Sequence, residues 1–307
     1  MCAWANIGAA LPLDCANLAL SGSRMPAEYT AQCADTAPAT QHDFGSQQRS
    51  PIDIGYAIDI FGNATRDRDR IYTFQLNNFP GQTFDNSAQP FIYGADFAPN
   101  GSFYGVIGEN AGQFPRTLGL ILSGGFIAIG PLNVPANDNI NGFAIHPRTG
   151  IAYLSTNNNS QPPLARLFTV NLQTGAATLV GPLSAPTDST VGTVMISLAI
   201  NCEGKLYAHN ISDDSLYLVN RTTGMTTFIG NHGLNANFAQ GMDFDNSTGE
   251  LYAFMMLNSG ENRFGVFNTQ TGGFTTLANN NPPGEYEGAI PTSCPEAISL
   301  FANGFED

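Results

Sequence analysis

Short runs of small and apolar residues, each closed by turn residues, recur along the chain. Gly55-Tyr-Ala-Ile-Asp59, Gly94-Ala-Asp-Phe-Ala98, Gly142-Phe-Ala-Ile-His146, Ser197-Leu-Ala-Ile-Asn201 and Gly241-Met-Asp-Phe-Asp245 are five such openings, and Gly288-Ala-Ile290 is a clipped sixth. A short apolar run bounded by turns reads as a strand buried on both faces. A glycine turn then leads into an aromatic strand at Asn100-Gly-Ser-Phe-Tyr104, Thr149-Gly-Ile-Ala-Tyr153, Glu203-Gly-Lys-Leu-Tyr207 and Thr248-Gly-Glu-Leu-Tyr252. Glycine supplies the positive φ of a tight hairpin, and tyrosine packs its ring while its hydroxyl reaches a polar edge. An outer hairpin follows, clearest at Leu216-Tyr-Leu-Val-Asn-Arg-Thr-Thr-Gly224 with Thr226-Thr-Phe-Ile-Gly230, and repeated from Leu167 and Phe264. Its Asn-x-x-Thr-Gly turn uses the asparagine side chain to bond local backbone.

Four strands in each of several units of about 40–50 residues predict an all-β fold, a β-propeller with one four-stranded blade per unit. A sandwich would not require this periodicity. The six openings favour six blades, with five or seven as alternatives. A propeller must close its ring to remove strand edges. Residues 1–50 carry little alternation, so they are expected to form an N-terminal arm that contributes the missing strands of the last blade. The propeller is then expected over 51–301, with 302–307 as a C-terminal tail.

The Leu-Tyr-x-Val-Asn-x-x-Thr-Gly-x-x-Thr-x-Ile-Gly unit at Leu216–Gly230, paired with Gly-x-Leu-Tyr-Ala, resembles the blade repeats of little-characterised secreted bacterial propeller proteins of the WD40 or YVTN type. The ending Phe301-Ala-Asn-Gly-Phe-Glu306 resembles the short Phe-x-x-Gly-Phe-Glu terminus of exported Gram-negative proteins. Together the resemblances imply a secreted or cell-surface location.

Charge and cysteines narrow the picture. The net charge is -14 and Lys205 is the single lysine, so nucleic acid is not an expected partner. The one basic cluster, Arg66-Asp-Arg-Asp-Arg70, is offset by its own aspartates. No apolar run reaches the roughly 18 residues that would span a bilayer as a helix. Five cysteines leave at least one unpaired within the chain. Cys15, Cys33, Cys202 and Cys294 are the disulfide candidates; Cys202 and Cys294 lie near the starts of two repeat units. This usage favours an oxidising compartment over small buried thiols.

Catalytic patterns are sparse. There is no nucleophile elbow, phosphate loop, dinucleotide fingerprint or zinc spacing, and the four histidines are dispersed. Asp243-Phe-Asp-Asn-Ser-Thr-Gly249 has oxygen donors at alternate positions, so calcium is the candidate ion, against a plain hairpin turn. Asp96 and Asp243 stand in a column with Ala57, Ala144 and Ala199, which raises two readings. They form a central site for a cation or polar ligand together with Asp245, or each caps backbone amides of a neighbouring blade. The long loops at 133–141, 157–163, 182–193 and 231–240 are rich in Asn, Pro, Ser and Gly, compatible with glycan or protein recognition. The chain is therefore expected to be a binding or surface-interaction module without catalysis. The alternatives are a propeller enzyme of the metal-dependent lactonase or lyase type, or a subunit of an extracellular assembly.

Overall fold

The computed structural model describes residues 54–60, 71–76, 78–83, 91–109, 114–122, 125–158, 160, 162–184, 192–237, 241–280, 285–291 and 293–295. Its strands form five antiparallel four-stranded sheets. Blade 1 contains β1 (Ile54–Asp59), β2 (Ile71–Gln75) and β3 (Asn78–Thr83). Blade 2 is β4 (Ile92–Phe97), β5 (Phe103–Ile107), β6 (Thr117–Leu122) and β7 (Gly125–Pro131). Blade 3 is β8 (Asp138–Ile145), β9 (Ala152–Asn158), β10 (Ala165–Val170) and β11 (Ala177–Leu183). Blade 4 is β12 (Met195–Ile200), β13 (Leu206–Asn210), β14 (Ser215–Val219) and β15 (Thr226–Asn231), and blade 5 is β16 (Met242–Asp245), β17 (Glu250–Met256), β18 (Asn262–Phe267) and β19 (Phe274–Asn280). The last strand, β20 (Tyr286–Ala289), pairs with β1 and becomes the innermost strand of blade 1.

The inner strands β20, β4, β8, β12 and β16 pack on one another in that order and close a ring. The protein is a β-propeller, with five blades among the described residues where the repeat count favoured six. The difference has one cause. Gly55-Tyr-Ala-Ile-Asp59 is not an opening strand: β1 is the second strand of its blade, flanked by β20 and β2. A run that is small and apolar suits either of the two central strands, so pattern alone could not separate them. Blade 1 is split between two distant stretches of chain, and two apparent units are one. The expected contribution of residues 1–50 to the last blade, and the tail at 302–307, lie outside the described residues.

The corrected register restores a regularity. Tyr104, Tyr153, Tyr207 and Tyr252 pair across with Asp96, Ala144, Ala199 and Asp243, and Tyr56 pairs with Ala289 in the same way. Each blade thus carries the tyrosine of its second strand. Five hydrophobic clusters lie between adjoining blades; the one between blades 3 and 4 joins Tyr153, Leu167 and Leu183 to Leu198, Leu206 and Tyr217.

The Ile-Gly or Val-Gly that ends an outer strand has a packing role. A Cβ on Gly130, Gly181 or Gly230 would fall 2.3, 2.2 or 1.8 Å from the carbonyl oxygen of Thr174, Thr223 or Thr271. Each such glycine therefore receives the Asn-x-x-Thr-Gly turn of the next blade against its bare backbone. The turn is held by its asparagine, as where Asn220 Oδ1 accepts from the Thr222 and Thr223 amides at 2.9 and 3.2 Å. After β20, Cys294 is disulfide-bonded to Cys202, with Cα atoms 5.5 Å apart. Arg148 donates to the carbonyls of Cys202 and Pro295, at 3.3 and 2.8 Å, beside that link. Cys15 and Cys33 lie outside the described residues.

Candidate functional site

Asp96 and Asp243 sit on inner strands, each buried and each bonded through both oxygens. Asp96 Oδ1 accepts from its neighbour Phe97 N at 2.6 Å and Oδ2 from Ile145 N of blade 3 at 2.5 Å. Asp243 repeats this, with Phe244 N at 2.7 Å and Ile290 N beyond β20 at 2.6 Å. Each carboxyl therefore ties its inner strand to the next blade round the ring. Burial is the main force raising their pKa values, Asp96 to about 7 and Asp243 well above the ordinary carboxylate range, where the charge of Asp96 adds to the effect. The backbone donors pull both back down in part. The void that Asp243 borders measures about 10 Å³, room for one water.

Asp245 is engaged in its turn. Its Oδ1 accepts from Ser247 N and Oγ at 2.9 and 2.6 Å, its Oδ2 from Thr248 Oγ1 at 2.9 Å, and its carbonyl from Gly249 N at 2.7 Å. The structure thus places Asp243 and Asp245 on one short strand but in separate hydrogen-bond sets. Among the described residues no group of three or more His, Cys, Asp or Glu is placed to hold a metal ion.

A larger space opens elsewhere. A cavity of about 170 Å³ lies where the inner strands begin and the second strands end. Four blades build it. Tyr93 and Glu109 come from blade 2, Asn139, Ile140, Asn141 and Asn157 from blade 3, Val194 and Ile196 from blade 4, and Ile60 and Glu287 from blade 1. Its polar wall is preorganised. Asn141 Nδ2 donates to Asn157 Oδ1 at 2.9 Å, Asn157 Nδ2 donates to the Asn158 carbonyl at 3.2 Å, and Glu109 Oε2 accepts from Ile140 N at 3.0 Å. Beneath it, Ser155 Oγ accepts from Gly142 N and donates to the Met195 carbonyl at 2.8 Å, stitching blade 3 to blade 4. Tyr93 lies over Gly108, where a Cβ would come within 2.3 Å of the ring.

Glu287 stands apart from the other wall residues. Its side chain is 5% exposed, and its carboxyl makes no hydrogen bond or ion pair among the described residues. Burial pushes its pKa well above the usual range. Another buried acid shows the usual arrangement: Asp138 is paired with Arg166 and accepts from Thr156 Oγ1 at 2.7 Å. In register, Glu287 occupies the column of Gly94, Gly142, Ser197 and Gly241, where inner strands press against neighbouring backbone; a Cβ on Gly142 would meet Leu198 N at 2.4 Å. Glutamate replaces a small residue there and borders the cavity.

Asn139, Asn141 and Asn157 fall within the segments 133–141 and 157–163 that the sequence pattern marked for recognition, whereas Glu109 and Glu287 were not marked. Aligning Gly288 with Gly94, Gly142 and Gly241 set the last opening one residue off and hid Glu287. Two signals were present: a glutamate just before the Gly-Ala-Ile run, and the polar Ser155-Thr-Asn-Asn158 run in a strand whose counterparts in blades 2 and 5 are apolar.

No known protein family matches the chain, and no curated protein matches it. Solved structures similar to it include a chain of a nidogen/laminin complex, with 14% identity over 60% of each chain and a TM-score of 0.37. A protein of unknown function from Bacteroides caccae has 12% identity over 76% of this chain and 74% of its own, with a TM-score of 0.37. The PQQ-bound aldose sugar dehydrogenase of Streptomyces coelicolor has 13% identity over 62% and 67%, with a TM-score of 0.43. This chain spans 60% of the length of the nidogen/laminin chain.

Proposed function

We propose that the protein is an exported β-propeller binding module, without catalysis, whose ligand seat is the cavity at the mouth of the ring. The observation that carries this reading is Glu287, a buried carboxyl with no partner among the described residues, facing a space of about 170 Å³ beside three asparagines. A buried polar group left unpaired is costly, so such groups are satisfied by protein, water or ligand. A pocket with an apolar floor and a few fixed polar groups is the usual form of a small-molecule site. The enzymatic alternative built on Asp96 and Asp243 draws less support, because both oxygens of each already bond backbone amides. Export is supported by the Cys202–Cys294 disulfide, which suits an oxidising compartment. Among the described residues no helix is long and apolar enough to cross a membrane.

The test is a thermal-shift screen of small polar compounds and oligosaccharides against the intact protein, repeated with Asn141→Leu. Compounds that stabilise the parent and not the variant are expected. Full retention of every shift by the variant would remove the cavity as the seat. Turnover of a screened substrate that disappears in Asp96→Asn would favour the enzyme.

A further inference from the structure

We propose that the cavity at the ring mouth is selective for a small aliphatic ammonium ligand, gripped by Glu287 and Glu109; this rests on the reading of that cavity as a ligand seat. Among the described residues two acids line it, and no Lys, Arg or His does. A ligand carrying carboxylate or phosphate would meet these carboxyls with no counter-charge among the described residues, which disfavours it. The wall offers acceptors: the second oxygen of Glu109, the Asn141 carboxamide oxygen and, once ionised, both oxygens of Glu287. A –NH3+ group offers three donors and no acceptor, and so matches that set. Charge-assisted bonds of this kind are about twice as strong as neutral ones.

Size separates an organic cation from a bare metal ion. At about 170 Å³ the cavity is far larger than the space that a single water or a single ion fills. Ile60, Ile140, Val194 and Ile196 supply apolar wall for methylene groups. A chain of about four carbons with an amine at one or both ends suits both features.

Burial raises the Glu287 pKa well above the ordinary carboxylate range in the empty protein, which favours its neutral form. An adjacent ammonium stabilises the carboxylate instead. Binding therefore lowers the Glu287 pKa and drives proton release wherever the carboxyl is still protonated, so affinity rises with pH across that range until the amine itself deprotonates. Among the described residues the titratable groups lining the cavity are Tyr93 from β4, Glu109 after β5, and Glu287. Asp59 on β1 and Glu285 before β20 are neighbouring acids, and the charge of Asp59 helps burial raise Glu285 to about 7.

The experiment is titration calorimetry of the intact protein with 1,4-diaminobutane, with 1,4-butanediol and a neutral monosaccharide as uncharged probes. Runs at pH 6, 7 and 8 use two buffers of different ionisation enthalpy. Binding of the diamine is expected, tightening with pH, with proton release and without measurable diol binding. Glu287→Gln, which keeps shape, should weaken the diamine at least about tenfold and abolish the proton release, while its melting temperature confirms folding. Binding of the diol or sugar but not the diamine would overturn the cation assignment and leave the seat standing. Binding of none of the three, or equal diamine binding by a folded Glu287→Gln, would also overturn it. A compound found by the thermal-shift screen would then decide whether the seat itself survives.

Discussion

Ser197 occupies the crowded inner-strand column otherwise held by Gly94, Gly142, Gly241 and Glu287. It is 2% exposed, and its hydroxyl has no hydrogen-bond partner among the described residues. An unsatisfied buried hydroxyl carries a desolvation penalty of about 1–3 kcal/mol. Ser197→Ala keeps the Cβ and removes only the oxygen. Its unfolding free energy in urea is expected to be unchanged or to rise by up to about 1–2 kcal/mol. A loss larger than about 1 kcal/mol would mean that the hydroxyl is satisfied after all. The same column explains why Glu287 was hard to see. One glycine in the wrong register put Gly288 where Glu287 belongs, and a residue that breaks the column looked like one preceding it.

At the scale of elements, the recurring contact is a hairpin turn seated on a glycine of the blade before it. Gly181→Ala places a methyl against the Thr223 carbonyl, so the turn must move. Overpacking of this kind costs about 1–3 kcal/mol. Gly273→Ala is the matched control, since the nearest atom to its added Cβ is the Thr271 hydroxyl at 3.6 Å. A fall in melting temperature is expected for Gly181→Ala and a much smaller one for Gly273→Ala. Equal falls would show that the loss of glycine's backbone freedom, and not the seat, sets the effect. The turn half of this device was readable in Asn-x-x-Thr-Gly. The glycine half was present in every Ile-Gly or Val-Gly, but its partner belongs to another blade, and a local pattern carries no information about that partner.

For the whole molecule, closure concentrates buried acids near β20 and the inner ring. Asp96 and Glu285 are raised to about 7, and Asp243 and Glu287 further, chiefly by burial. An acid whose folded pKa is raised binds more protons folded than unfolded. Its contribution is full below its ordinary value and is lost as pH climbs through the folded value. His209 and His232 act in the opposite sense: burial lowers both, His232 to about 4, so their contribution is lost as pH falls below about 6.5. The two rings are 2.9 Å apart through their Nε2 atoms, and His232 Nδ1 accepts from Leu234 N, which leaves His209 Nε2 as the acceptor of the shared proton. The acids outnumber the histidines, so the melting temperature is expected to fall between about pH 5 and pH 8. Glu287→Gln should flatten that fall, as read by calorimetric melting across the range. A melting temperature that rises over this interval would mean that the histidines, not the acids, govern the profile. Cys202–Cys294 holds the chain just beyond β20, and a link closing so long a loop contributes on the order of 2–4 kcal/mol.

Sequence by itself determined the strand type, the four-stranded unit and the propeller, because alternation, glycine turns and tyrosine positions are local consequences of hairpin geometry repeated along the chain. The candidate carboxylates Asp96 and Asp243 were also visible as departures from an alanine column. Tertiary structure alone decided that β20 completes the blade begun by β1, and so made five blades of six openings. It decided too that the two aspartates bond the backbone of the next blade, and that Glu287, Glu109 and the Asn141–Asn157 pair meet around one cavity. The reason is distance along the chain: Glu109 and Glu287 are brought together by ring closure, and no periodicity in either segment encodes which strands become neighbours across it.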